Sequence, residues 1–193
     1  MIQSFRVRLH LPSMEFELQP TLQGKLLVLR PLAPQDFDAL FRAASDPLLW
    51  EQHPEPARYS REVFEKLFAG AMESGGALAV VERATGRIIG SSRYANLDPR
   101  QSEVEIGWTF LERAFWGGAC NREMKSLMLA HAFRFVERVV FVVGENNLRS
   151  QKALQKIGAK FLRRGDRPAQ DGSPNLVFAI TRGDLRRQRS DVS

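Results

Sequence analysis

The period of apolar positions changes several times along the chain, and each change marks an element. "KLLVLRPL" reads as a strand ending at Pro31. "APQDFDALFRAASD" places Phe37, Leu40 and Phe41 at helical spacing behind a polar start. "SREVFEKLFAGAMESG" predicts a second helix, opened by a Ser60 cap and closed at Gly75. "GALAVVERATGRIIGSSRYANL" predicts a hairpin turning at Thr85 and Gly86. "SEVEIGWTFL" alternates, which predicts Val104, Ile106, Trp108 and Phe110 on one face and Glu103, Glu105, Gly107 and Thr109 on the other.

A longer helical pattern follows from Ala119 to Val136, then "RVVFVVGEN", a continuous apolar run expected of a strand buried on both faces. "LRSQKALQKIGA" predicts a short helix ending at Gly158, and "KFLRRG" and "NLVFAITR" close the pattern as strands. The order implies an α/β (α+β) fold, a mixed central sheet packed by helices. Its central strand–helix–strand unit should be a right-handed crossover between parallel neighbours.

Composition narrows the picture. With 193 residues, 44% hydrophobic and 26% charged, the chain reads as one soluble globular domain. We place it at residues 14–185, with a disordered extension at 1–13, Met14 as the natural start, and a basic tail at 186–193. No apolar run is long enough to span a membrane and no secretory leader is legible, so no membrane partner is expected. A single cysteine, Cys120, allows no internal disulfide, which favours a cytoplasmic home. Three histidines and one cysteine argue against a bound metal. The net charge of +6 is dispersed except for "RGDLRRQRS", with no nucleic-acid-binding pattern; nucleic acid is not the expected partner, and a basic surface equally favours an anionic small ligand. Monomer and homodimer both remain open.

The candidate chemistry starts at "WGGACN". Gly117, Gly118 and Ala119 bare the N-terminus of the long helix, whose unpaired N–H groups attract phosphate, and Arg122 and Lys125 would add charge. The third glycine of a dinucleotide fingerprint and the lysine and hydroxyl of a P-loop are both missing. "ENNLRSQKALQKIGA" then follows the buried strand at the same end of the sheet.

At this point the chain resembles the GNAT (GCN5-related) acyl-CoA N-acetyltransferases, in their ribosomal-protein-alanine acetyltransferase (RimJ/RimL-like) branch. Three stretches carry the resemblance: "LVLRPLAPQDFDAL" with "DPLLWEQHPEP", "EIGWTFLERAFWGGACNREMK", and "NLRSQKALQKIGA". They cover roughly residues 20–180. The resemblance implies that acetyl-CoA is the cosubstrate. It lays the pyrophosphate on Trp116, Gly117, Gly118, Ala119, Cys120 and Asn121. The pantetheine arm would run between two splayed parallel strands, against the backbone of Trp108, Thr109 and Phe110. Asn147 and Ser150 would face the arm and thioester, with Lys152 near the phosphates. One departure is Ala114, where the family's loop usually has Arg or Gln; Arg113 stands one position earlier.

Acetylating an amine needs a base, an oxyanion donor and a proton for the departing thiolate. Glu105 is the preferred base over Glu103, though both could be plain solvent-facing carboxylates. The family's usual tyrosine acid is absent, since the chain has only Tyr59 and Tyr94; Ser150 or a water would serve. Trp50, His53 and Pro54 fall where the family's first loop covers the acceptor, and Arg93 and Tyr94 are further substrate candidates. Cys120 reads as a small loop residue rather than a nucleophile, and His131 as a packed histidine. The expected function is acetyl transfer to a primary amine, on a small molecule or a protein N-terminus, by direct attack in a ternary complex. The alternative is a catalytically silent acyl-CoA-binding sensor.

Overall fold

A computed structural model describes residues 15–185. The expected extension at 1–13, the start at Met14 and the tail at 186–193 lie outside the described residues. Among the described residues, eight strands form one sheet: β1 (Leu22–Gln23), β2 (Leu27–Pro31), β3 (Ala77–Glu82), β4 (Ile88–Asp98), β5 (Glu103–Leu111), β6 (Arg138–Gly144), β7 (Lys160–Arg164) and β8 (Asn175–Thr181). Four helices cover it: α1 (Phe37–Ala44), α2 (Arg61–Glu73), α3 (Ala119–Ala132) and α4 (Leu148–Lys156). The sheet order is β1-β2-β3-β4-β5-β6-β8-β7. Every neighbouring pair is antiparallel except β5 and β6, which the α3 crossover makes parallel.

Each sheet face carries its own core. On one, α3 packs Met124, Met128 and Leu129 against Leu29, Val80, Val104 and Ile106, and α4 adds Leu154. On the other, Leu40 of α1 and Phe64 and Phe68 of α2 meet Ala77, Ala79 and Phe110. Glu123 fixes the start of α3 to the sheet edge: its carboxylate accepts the backbone N–H groups of Lys25, Leu26 and Leu27 at 2.8–2.9 Å.

Three local expectations need correcting. Ser60 holds the α2 cap position, but its side chain makes no capping bond; its carbonyl accepts from Phe64 at 2.9 Å. The long helix stops at Ala132, and the apolar residues that extended its pattern, Phe133 and Val136, reach the core from the turn that follows. Val142 of β6 is 40% exposed, because that strand borders a cavity instead of being covered on both sides.

The largest departure is in β5. Ser91 pairs with Phe110 but Arg93 with Gly107, so β5 carries one extra residue, a β-bulge, with Trp108 at φ +49°. The bulge reverses the alternation beyond it. Val104 and Ile106 face α3, Phe110 faces α1 and α2, and Trp108 stands 39% exposed instead of in the core.

Candidate active site

The parallel ladder between β5 and β6 is short: Glu103 pairs with Arg138, Val104 with Val139 and Glu105 with Val140, and there it ends. Both strands continue, β5 to Leu111 and β6 to Gly144, over a cavity of about 510 Å³. A ladder broken inside a sheet gives up backbone hydrogen bonds worth about 1 kcal/mol each. The two cores hold the parted strands in place. Along β5, the stretch from Glu105 to Leu111 spans roughly 20 Å, so the cavity has two chemically separate ends.

At the open end, β5 passes through a 3₁₀ turn (Arg113–Phe115) into the glycine loop. Trp116 is pinned there by its indole N–H, which donates to the Leu111 carbonyl at 2.9 Å. The Arg149 guanidinium stacks 4.0 Å from the Trp116 ring centroid and donates to the Leu49 carbonyl, which ties α4 to the loop. Gly117 sits at φ +65°, a conformation that favours glycine, with open space where a side chain would stand. Gly118 caps α3 with no side-chain hydrogen bond, so the first N–H groups of this helix lack a capping acceptor. Trp116, Gly117 and Asn121 line the cavity. Gly118, Ala119 and Cys120 are adjacent but not on its wall. Cys120 is half-buried against the core, and burial with Glu82 and Glu123 nearby holds its thiol above the ordinary value. That suits a small packing residue. Arg113 forms an ion pair with Asp46 and Arg122 is exposed.

At the closed end, Glu105 is buried beside the last ladder rung. Burial holds its carboxyl above the ordinary carboxylate value, against the opposing pull of the 2.7 Å hydrogen bond from Asn96 and the charge of Arg93. Arg93 is buried below the bulged Trp108, its guanidinium 4.5 Å from that ring centroid. Glu103 is instead drawn into an ion pair with Arg138 at 3.3 Å.

Lys125 does not reach the glycine loop as expected. It is buried in the second turn of α3, on the cavity wall, where Nζ donates to Thr109 Oγ1 at 2.8 Å and lies 5.3 Å from the Phe141 ring centroid. Burial pulls its pKa from 10.5 to about 7. Asn147 and Ser150 line the cavity, but the Asn147 side-chain oxygen is engaged in capping α4 by accepting from the Ser150 N–H at 3.0 Å. Lys152 is exposed and away from the wall.

The acceptor candidates divide. Trp50 is a core residue, its indole N–H donating to Ala44 at 2.8 Å, with one edge on the cavity; His53 and Pro54 line it beside Arg58. Tyr94 is fully buried on the α3 face and donates its hydroxyl to the Met128 carbonyl at 2.7 Å, so it does not reach the cavity. His131 is packed among Phe16, Tyr94 and Phe135, as expected. Sequence reasoning missed Asn96, Arg58 and the inward turn of Lys125. A lysine amid the apolar positions of a core helix was the one available signal.

An α/β sheet whose single parallel pair parts over a bare helix N-terminus is the fold class of the acyl-CoA N-acyltransferases. Residues 27–160 match the family described as acetyltransferase (GNAT) domain, and the chain belongs to that family. Among solved structures, a probable acetyltransferase (GNAT family) from Chromobacterium violaceum is 21% identical, with 96% of this chain and 98% of that one covered at a TM-score of 0.79. A GCN5-related N-acetyltransferase from Brucella melitensis is also 21% identical, covering 91% and 83% at a TM-score of 0.78. Mycobacterium smegmatis RimJ in complex with CoA-disulfide is 20% identical, covering 82% and 83% at 0.63. These likenesses concern the fold. No curated protein matches the chain.

Proposed function

We propose that the protein transfers acetyl from acetyl-CoA to a primary amine by direct attack in a ternary complex. The observation that carries this reading is the β5–β6 ladder, which stops at Glu105 and Val140 and leaves the β6-facing edge of β5 open along the cavity. An open strand edge is completed by an extended ligand with amide groups, and the pantetheine arm is such a ligand. The uncapped α3 N-terminus and the open space above Gly117 fit a pyrophosphate at the other end. Bound there, acetyl-CoA would supply an acetyl carbon already activated as a thioester.

The chain's own groups do the rest. Glu105, buried and raised in pKa, is suited to take the proton from an incoming ammonium. Two groups on the wall can return a proton to sulfur: the Ser150 hydroxyl, and Lys125 Nζ, which with a pKa of about 7 is partly protonated at neutral pH. Lys125 is the better acid by chemistry, and it stands in for the missing tyrosine. The three stretches that carry the resemblance favour the RimJ/RimL-like branch, although acceptor loops are where such proteins diverge, and the single cysteine favours a cytoplasmic setting.

Calorimetric titration with acetyl-CoA tests this reading without knowledge of the acceptor. The wild type should bind at micromolar level and Gly117→Glu should not, because a carboxylate would then occupy the phosphate's place. A wild type that does not bind contradicts the reading. The silent sensor keeps one supporting observation: neither tyrosine serves the site, Tyr94 being sealed in the core and Tyr59 outside the cavity lining. A sensor would bind acetyl-CoA equally well in wild type and Glu105→Gln and release no thiol with any amine.

A further inference from the structure

Lys25, Lys66, Lys152, Lys156 and Lys160 are exposed, as lysines ordinarily are. Lys125 is buried, and it lies on the cavity wall. Among the described residues no carboxylate pairs with it. Its neighbours are the Thr109 hydroxyl oxygen, 2.8 Å from Nζ, and the Phe141 ring, with its centroid at 5.3 Å.

These neighbours fix the position of Nζ. Thr109 lies on β5 beyond Glu105, and Phe141 on β6 directly beyond Val140, where the parallel ladder stops. Both line the cavity, so Nζ stands between the parted strands, in the space through which the acetyl-transfer reading runs the arm of acetyl-CoA. Burial moves its pKa to about 7, which leaves a large share of the amine neutral at neutral pH. A neutral Nζ that gives one N–H to Thr109 keeps its lone pair free. An amine held beside a bound thioester also has the advantage of proximity over any amine in solution.

Resting on the acetyl-transfer reading above, we propose that Lys125 is a self-acetylation site: with no acceptor amine in place, Nζ takes the acetyl group of bound acetyl-CoA. The Nζ lone pair forms a bond to the thioester carbonyl carbon, the C–S bond breaks, and one Nζ proton passes to the departing sulfur. The products are a neutral acetamide on Lys125 and the free coenzyme thiol. The acetamide keeps an N–H for Thr109 Oγ1 and has no charge to bury. It cannot return a proton to sulfur, so the modified chain is an off state.

The test incubates the full chain with acetyl-CoA alone at about pH 8 and reads thiol release and peptide masses. Thiol should appear as a burst of about one equivalent per chain and then stop. The acetyl mass should sit on the peptide holding Lys125, with the exposed lysines serving as internal controls. Lys125→Met should give no burst. Gly117→Glu keeps the lysine but blocks the phosphate end, and should slow the burst by about 10²-fold or more. In urea melts at about pH 6 the acetylated protein should unfold at higher denaturant than the unmodified one, because a buried charge is gone. Acetyl groups on exposed lysines with Lys125 untouched would overturn the proposal, as would Lys125 acetylation that proceeds equally fast in Gly117→Glu. A wild type that binds acetyl-CoA by calorimetry yet gives no burst also overturns it, and leaves the acetyl-transfer reading standing. A wild type that binds no acetyl-CoA overturns that reading and self-acetylation with it.

Discussion

Replacing Lys125 by methionine should make the protein more stable while it damages turnover. Burial moves this lysine from 10.5 to about 7. Each tenfold displacement is worth about 1.4 kcal/mol, so the folded state bears a penalty of about 5 kcal/mol wherever the lysine must be charged. The sign follows from proton counting. Below pH 7 both folded and unfolded chains hold the proton and the full penalty is present. Between 7 and 10.5 only the unfolded chain holds it, and wild-type stability climbs by about 1.4 kcal/mol per pH unit. Methionine has similar length and no charge, and Thr109 Oγ1 keeps its 2.7 Å partner in Ser92 Oγ. Allowing for the lost Lys125 hydrogen bond, the variant should gain about 2–4 kcal/mol at about pH 6, with roughly 3 kcal/mol of the difference gone by about pH 9. Urea unfolding of both proteins across this range reads the effect directly. A difference that does not change with pH, or a variant less stable at about pH 6, would refute the reasoning. Acetyl-CoA affinity should hold while kcat falls, the pattern of a residue kept for function against stability.

Glu105→Gln should lower kcat about 10²–10⁴-fold with acetyl-CoA affinity unchanged. The wild-type rate should fall on acidification through a pKa above the ordinary carboxylate value of 4.5, because the base must be deprotonated, and this limb should vanish from any residual activity of the variant. Ser150→Ala, assayed in parallel, should cost less than about tenfold if Lys125 carries the proton to sulfur. Gly90→Ala should destabilise by about 2–4 kcal/mol in thermal or urea melts: its Cβ would collide with the Phe110 carbonyl oxygen and lie 2.9 Å from the Leu111 Cα, both backbone.

The element order was legible because each element's period survives in the residues that face a core. Leu27 and Leu29 of β2 and Met124 and Met128 of α3 are buried where the pattern demanded. The glycine loop was legible for a different reason, since Gly117 occupies a left-handed conformation that other residues avoid. The bulge at Trp108 was not, because nothing in "EIGWTFL" breaks the alternation; the extra residue shows only against the register of β4. Tyr94 and Arg93 are adjacent on β4 and part to opposite faces, Tyr94 sealed against α3 and Arg93 below Trp108, and neither lines the cavity. Arg58 was invisible as a site residue because its position depends on a 3₁₀ turn folding over a cavity made by residues some fifty positions later.

The central claim is that the parted strands receive the arm of acetyl-CoA and that the α3 N-terminus receives its phosphates. Amide hydrogen exchange of the whole chain, with and without acetyl-CoA, tests both ends at once. Protection should appear at residues 107–111 of β5 and at residues 117–121 of the loop and first turn of α3, with β1 and β2 unchanged. Binding that leaves these two stretches exchanging as before, and protects some other surface, would contradict the account.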